Sequence, residues 1–221
     1  MEINRIIDHT LLKPGSTEEQ IEKLVKEAIK YNFYSVCVNP IWVKKCSEML
    51  KVTEVKVCTV IGFPLGANTK ETKLFETKNA IENGANEIDM VINIGFIKSK
   101  KYSEVEEEIS EIAKICHKNN AILKVILETC LLSKEEIVKA CEISENSGAD
   151  FVKTSTGFSD SGADKEDVAL MKKSVSDKVR VKASGGIRDY KKAMEMVESG
   201  ADRLGVSAGV EIYEKSKLIW E

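Results

Sequence analysis

One join occurs three times almost unchanged and constrains the fold more than any other feature: NGANEI at 83–88, SGADFV at 147–152 and SGADRL at 199–204. Each sets a glycine where a helix would end in the left-handed conformation, then runs straight into a strand. Short β-branched runs recur along the chain at 5–12, 33–39, 55–63, 86–93, 121–129, 150–155, 179–184 and 202–207. Between them lie segments with apolar residues at helical spacing, such as TEEQIEKLVKEAIKYN and KEEIVKACEISENSG. The pattern predicts eight strand–helix units, the last helix falling over 208–217. Strict alternation of this kind calls for a parallel sheet. Eight units in 221 residues predict an α/β fold, a single (β/α)8 barrel domain over 1–221, somewhat shorter than the usual ~250 residues. An open, doubly wound sheet is the alternative.

Composition narrows the function. With 43% hydrophobic and 31% charged residues, a chain of this length buries roughly 70% of its unfolded surface without disulfides or structural metal. Acidic residues (36) nearly cancel basic ones (33), and no basic stripe alternates with aromatics, so nucleic acid is not an expected partner. No apolar run approaches the ~18 residues of a membrane span, and MEINRIIDHT carries no signal-peptide core. The six cysteines (37, 46, 58, 116, 130 and 141) form no CxxC pair, as expected of free thiols in a reducing cytoplasm. His9 and His117 belong to no HxH or HExxH cluster, so neither a metal nor another cofactor is expected. His9 reads as a structural hydrogen-bonder.

On a barrel, chemistry sits at the C-terminal ends of the strands. Lys153 and Lys182 each end an apolar run and precede a small-residue loop, FV-K-TSTGF and VRV-K-ASGG, so both are expected at the barrel mouth. A free lysine titrates near ~10.4, leaving about one amine in 2500 unprotonated at neutral pH. Partial burial beside a second cation is the arrangement that frees such an amine for Schiff-base formation with a carbonyl. Lys124 lies mid-strand on the same face as Glu128, predicting an interior Lys124–Glu128 pair in a supporting role. Asp89 shares a strand face with Glu87 and Val91, and a carboxylate there must be paired if buried. Beside the lysines it would serve as a general acid/base. Asp8 is a second interior carboxylate.

Three loops follow predicted strands and precede helices: TSTG (154–157), SGGIRD (184–189) and GVSAG (205–209). Glycines let backbone approach an anion, and a helix N-terminus aims N–H groups at it. The last two loops follow strands seven and eight, the usual phosphate position on barrels. A small phosphorylated molecule is the expected ligand.

The ordered segments DHTLLKP, VCVNP, VIGFPLGAN, EIDMVIN, LKVILET, FVKTSTGF, VKASGGIR and GADRLGVS resemble the deoxyribose-phosphate aldolase family over nearly the whole chain. The resemblance implies a metal-independent class I aldolase that cleaves 2-deoxy-D-ribose 5-phosphate to glyceraldehyde 3-phosphate and acetaldehyde. It implies a place in deoxyribose phosphate breakdown and a homodimer or homotetramer. By motif, Lys153 takes the Schiff-base role, Lys182 the adjacent activating role and Asp89 proton transfer. Thr156, Gly157, Gly185, Gly186, Gly205, Ser207, Thr10 and Cys37 fall on the phosphate and substrate site. Three positions depart from the pattern. Phe158 stands where some members carry a basic residue, Ala208 replaces a second hydroxyl, and the chain ends LIWE where some end in tyrosine. Another lysine-dependent sugar-phosphate aldolase or isomerase, and a catalytically silent sugar-phosphate sensor, are the competing readings.

Overall fold

A computed structural model describes residues 2–218. In the three recurrent joins Gly84, Gly148 and Gly200 take φ of +102°, +90° and +109° and hand the chain to a strand three residues later. The strands are β1 (Ile7–Leu11), β2 (Ser35–Val38), β3 (Lys56–Ile61), β4 (Glu87–Val91), β5 (Ile122–Ile126), β6 (Phe151–Lys153), β7 (Arg180–Ser184) and β8 (Arg203–Val206). All pair in parallel in chain order, and β1 closes on β8 to give an eight-stranded barrel. The open-sheet alternative is thereby set aside.

Among the described residues nine α-helices alternate with these strands: α1 (Glu18–Lys30), α2 (Val43–Leu50), α3 (Lys70–Glu82), α4 (Ile94–Lys98), α5 (Tyr102–Lys118), α6 (Lys134–Asn146), α7 (Lys165–Ser174), α8 (Tyr190–Glu198) and α9 (Gly209–Lys217). Local chemistry sets their starts. Thr17 with Gln20, and Ser133 with Glu136, form capping boxes that satisfy the first free N–H groups of α1 and α6. None of the described helices is long and apolar enough to cross a membrane.

Strand alternation sorts the side chains into two environments. Ile88 and Met90 of β4, and Leu123 and Val125 of β5, join the large apolar layer beneath the helices. His9 faces the same layer, its Nε2 2.8 Å from Glu27 of α1, which is the structural role expected of it. The opposite face of each strand lines the barrel axis. There Asp8, Glu87, Asp89, Lys124, Lys182 and Arg203 are all buried. Barrel interiors are ordinarily packed with branched apolar residues; this one is packed with charge.

A separate buried pair ties the helical layer to the end of β4. Lys73 of α3 donates to Val91 O (2.9 Å) and to Glu108 of α5 (2.8 Å), with both side chains shielded from solvent. Removing one partner of a buried ion pair strands the other charge. Lys73→Met should therefore cost about 3–5 kcal/mol in urea unfolding. Lys73→Met combined with Glu108→Leu should recover more than half of that loss. Additive losses in the double variant would mean that the pair is not a unit.

Candidate active site

Seven charged side chains on the barrel axis form one connected set. Asp89 is at its centre and fully buried. Its Oδ2 accepts from Lys153 Nζ and from Lys182 Nζ, both at 2.8 Å, and its Oδ1 accepts from Lys124 Nζ at 2.8 Å. The register explains the convergence. Asp89 pairs with Lys124 across β4 and β5, and Lys153 pairs with Lys182 across β6 and β7. Lys182 Nζ also lies 2.5 Å from Asp8 Oδ2, and Arg203 bridges Asp8 (2.8 Å) and Glu87 (3.4 Å). Lys124 closes the circuit on Glu87 at 2.5 Å.

Burial alone would raise the titration of Asp89, but Lys124, Lys153 and Lys182 outweigh it and hold the carboxyl well below its usual range. Asp8 is likewise held low, against burial, by Lys182 and Arg203. Burial disfavours the Lys182 ammonium, yet Asp8 and Asp89 hold it well above the ordinary lysine value. Lys124 is raised in the same way, chiefly by Asp89. Lys182 is thus a fixed cation across the physiological range.

The lysines divide by position. Lys153 is the last residue of β6 and reaches a cleft of about 400 Å³ at the C-terminal mouth. Lys182, expected at the mouth, is instead central in β7 and fully buried, because Ala183 and Ser184 continue the strand beyond it. Gly205 makes room for it: a Cβ there would sit 3.0 Å from Lys182 Cε. Gly205 therefore shapes the lysine as well as lining the cleft.

The expected Lys124–Glu128 pair does not form. β5 ends at Ile126, and Glu128 then adopts φ +54°, so same-face counting along the strand fails at its end. Lys124 turns to Asp89 and Glu87, while Glu128 binds Thr156. Thr10, Thr156, Gly157, Gly185, Gly186 and Ser207 line the cleft. Thr156, however, spends its N–H and hydroxyl on Glu128. Cys37 does not face the cleft; it is buried in the barrel with Leu12, Cys58 and Val60. Phe158 stands at the cleft with its ring edge-on to Phe63. The C-terminal LIWE reaches beyond the described residues.

Sequence reasoning gave no role to Glu87, Arg203, Lys13 or Arg188. The first two complete the interior circuit, and Lys13 and Arg188 line the cleft. A signal for the arginines was available. The chain's 33 basic residues include just four arginines (Arg5, Arg180, Arg188 and Arg203), so an arginine in a strand or a glycine loop stands out.

Possible metal ligands approach one another in two sets, Cys37–Cys58–Asp89 and Asp8–Cys58–Glu87. Both Asp89 oxygens already accept from ammonium groups, and Cys58, its thiol pushed up by burial, donates to Oδ1 at 3.2 Å. Four cationic side chains in the same volume oppose a further cation.

Fold and site together define a barrel enzyme organised around a cleft-facing lysine. The sequence profile of the DeoC/LacD family of aldolases matches residues 4–215. A Clostridium tetani protein named deoxyribose-phosphate aldolase is 63% identical over 98% of this chain and all of its own length. A relative of that name from Caldanaerobacter subterraneus is 57% identical over 98% of this chain and 94% of its own. Among solved structures, a tetrameric deoxyribose phosphate aldolase from Aeropyrum pernix superimposes with a TM-score of 0.91 at 38% identity, covering 98% of this chain and 92% of that one. The chain belongs to the DeoC/LacD aldolase family, and it is an aldolase.

The interior circuit has a definite pH signature. Depressed carboxyls stabilise the fold above their unfolded value near ~3.9 and lose that contribution as pH falls. Raised lysines stabilise it below their unfolded value near ~10.4 and lose that contribution as pH rises. Asp8→Asn should cost about 3–5 kcal/mol in urea unfolding at neutral pH. The difference from wild type should stay constant between about pH 5 and 9 and shrink below about pH 4. A difference that varied through the neutral range would contradict the assignment.

Proposed function

We propose that the protein cleaves 2-deoxy-D-ribose 5-phosphate reversibly to D-glyceraldehyde 3-phosphate and acetaldehyde through a Schiff base on Lys153. A charge count carries this reading. The ion-paired set holds the cations Lys124, Lys153, Lys182 and Arg203 against the anions Asp8, Glu87 and Asp89. Loss of one proton balances the buried set, and Lys153 is the member that reaches the cleft. An amine poised there adds to a carbonyl.

Lys153 Nζ attacks C1 of the open-chain sugar, and the carbinolamine loses water to give a protonated imine. Removal of the C3 hydroxyl proton then breaks the C2–C3 bond. The electron pair flows into the imine, leaving an enamine on Lys153 and releasing glyceraldehyde 3-phosphate. Protonation at C2 and hydrolysis free acetaldehyde and restore the amine. Asp89, within reach of Lys153, relays the protons, and Lys182 keeps positive charge beside the site throughout. The phosphate would sit on the Gly157, Gly185–Gly186 and Ser207 loops. Lys13 and Arg188 would supply the positive charge that Phe158 does not. The names of the relatives support the substrate. The A. pernix tetramer supports a homo-oligomer. Free cysteines, five of them buried, fit a cytoplasmic location.

Borohydride reduction with substrate, followed by peptide mapping, tests the reading directly. The adduct should fall on Lys153 and disappear in Lys153→Leu. Lys182→Leu should keep the nucleophile and lose the neighbouring cation. Its retro-aldol rate at pH 7 should drop by about two orders of magnitude. Trapping lost in Lys182→Leu but kept in Lys153→Leu would reverse the two roles. Activity should also survive chelation; inhibition by EDTA that zinc reverses would point to a metal-dependent reaction instead.

A further inference from the structure

Glu128 is buried at the rim, apart from the interior circuit, and its side chain makes an unusual use of the backbone. Immediately before it, Leu127 N donates to Lys153 O at 2.8 Å; immediately after it, Thr129 N donates to Thr154 O at 2.9 Å. Between these two bonds Glu128 takes φ +54° and ψ +63°, a left-handed conformation that non-glycine residues avoid. Strain of this kind persists where the surroundings over-determine it. The conformation sends the carboxylate across to the loop that follows Lys153. There it accepts from the Thr156 N–H at 3.1 Å and from the Thr156 hydroxyl. Thr156 Oγ1 accepts in turn from Phe158 N at 3.1 Å.

The same loop is held from its other side. Thr154 Oγ1 donates to Ser184 O at 3.1 Å, and Ser184 Oγ donates to Ser155 O at 2.6 Å. Residues 154–158 are thus clamped between the ends of β5 and β7. Within the clamp lies Gly157, at φ +84° with open space around its Cα, on the wall of the cleft. Among the described residues no lysine or arginine pairs with Glu128. A buried carboxylate served by neutral donors alone is costly to desolvate. Its return is what those donors fix.

We infer that Glu128 is a positioning residue for anion recognition. By holding Thr156 it sets the Gly157 amide towards the cleft, and so tunes affinity for the phosphate end of the substrate separately from the chemistry at Lys153. The inference rests on the reading of the cleft as a phosphorylated-sugar site.

Glu128→Gly removes the carboxylate but suits the left-handed backbone, so the chain retains its fold; Glu128→Gln keeps an acceptor for Thr156 N–H. The ratio of KM for 2-deoxyribose 5-phosphate to KM for 2-deoxyribose should rise about tenfold in Glu128→Gly and return to within about threefold of wild type in Glu128→Gln. A purely structural residue would shift both KM values together, and an unchanged ratio overturns the inference. A second readout stands apart from turnover: the Gly157 amide resonance followed during titration with inorganic phosphate. Saturation in wild type, with at least tenfold more phosphate needed in Glu128→Gly, supports the inference even if the sugar proves to be another one. A Gly157 resonance indifferent to phosphate in wild type, or equal titrations in both proteins, overturns it.

Discussion

The carboxylate of Asp89 is the point on which the interior depends. Three lysine Nζ atoms converge on its two oxygens, each at 2.8 Å, from three successive strands. None of those lysines could be buried alone, because a single desolvated ammonium would shed its proton or refuse the site. Around one anion they become mutually tolerable, and Asp8 and Glu87 spread the compensation to Lys182, Lys124 and Arg203. The circuit also separates two kinds of lysine. Lys124 and Lys182 are locked as cations inside, whereas Lys153 shares the anion and reaches the cleft.

The surrounding architecture serves that arrangement. The apolar layer beneath the helices supplies the hydrophobic driving force that an interior filled with charge cannot supply. The floor is closed by cation–aromatic packing, with the Arg203 guanidinium 3.4 Å from the Tyr34 ring centroid and 5.4 Å from that of Phe151. Gly205 gives up a side chain so that Lys182 can extend beneath it. Half of the residues lining the cleft are glycine, serine or threonine, beside the cations Lys13 and Arg188, which favours contact with an anion.

The periodicity of the chain revealed all eight strands and the glycine-marked joins, because those features follow from local chemistry. It also marked Lys153, Lys182 and Asp89, whose charges interrupt apolar runs, Lys153 at the end of β6 and the other two in the middle of β7 and β4. Depth was not legible. Lys182 is buried because its strand runs two residues past it, and strand ends depend on neighbours that are distant in sequence. The partner of Lys124 was misjudged for a related reason: alternation predicts a face only while the strand lasts, and β5 stops two residues before Glu128. The circuit through Glu87 and Arg203 joins β4 to β8 across the barrel, a contact that no local spacing encodes.

Seven charges that compensate one another behave as a single heritable trait. Changing any one of them leaves an unpaired charge, so the effects of substitutions inside the circuit are strongly non-additive. A lineage therefore has little access to intermediate forms and must inherit or replace the set together. The rim is under no such linkage. Phe158 lines the cleft and Ala208 follows Ser207 in the loop after β8, and neither side chain belongs to the circuit. Variation in what the barrel accepts can accumulate one residue at a time, around an interior that changes as a block or not at all.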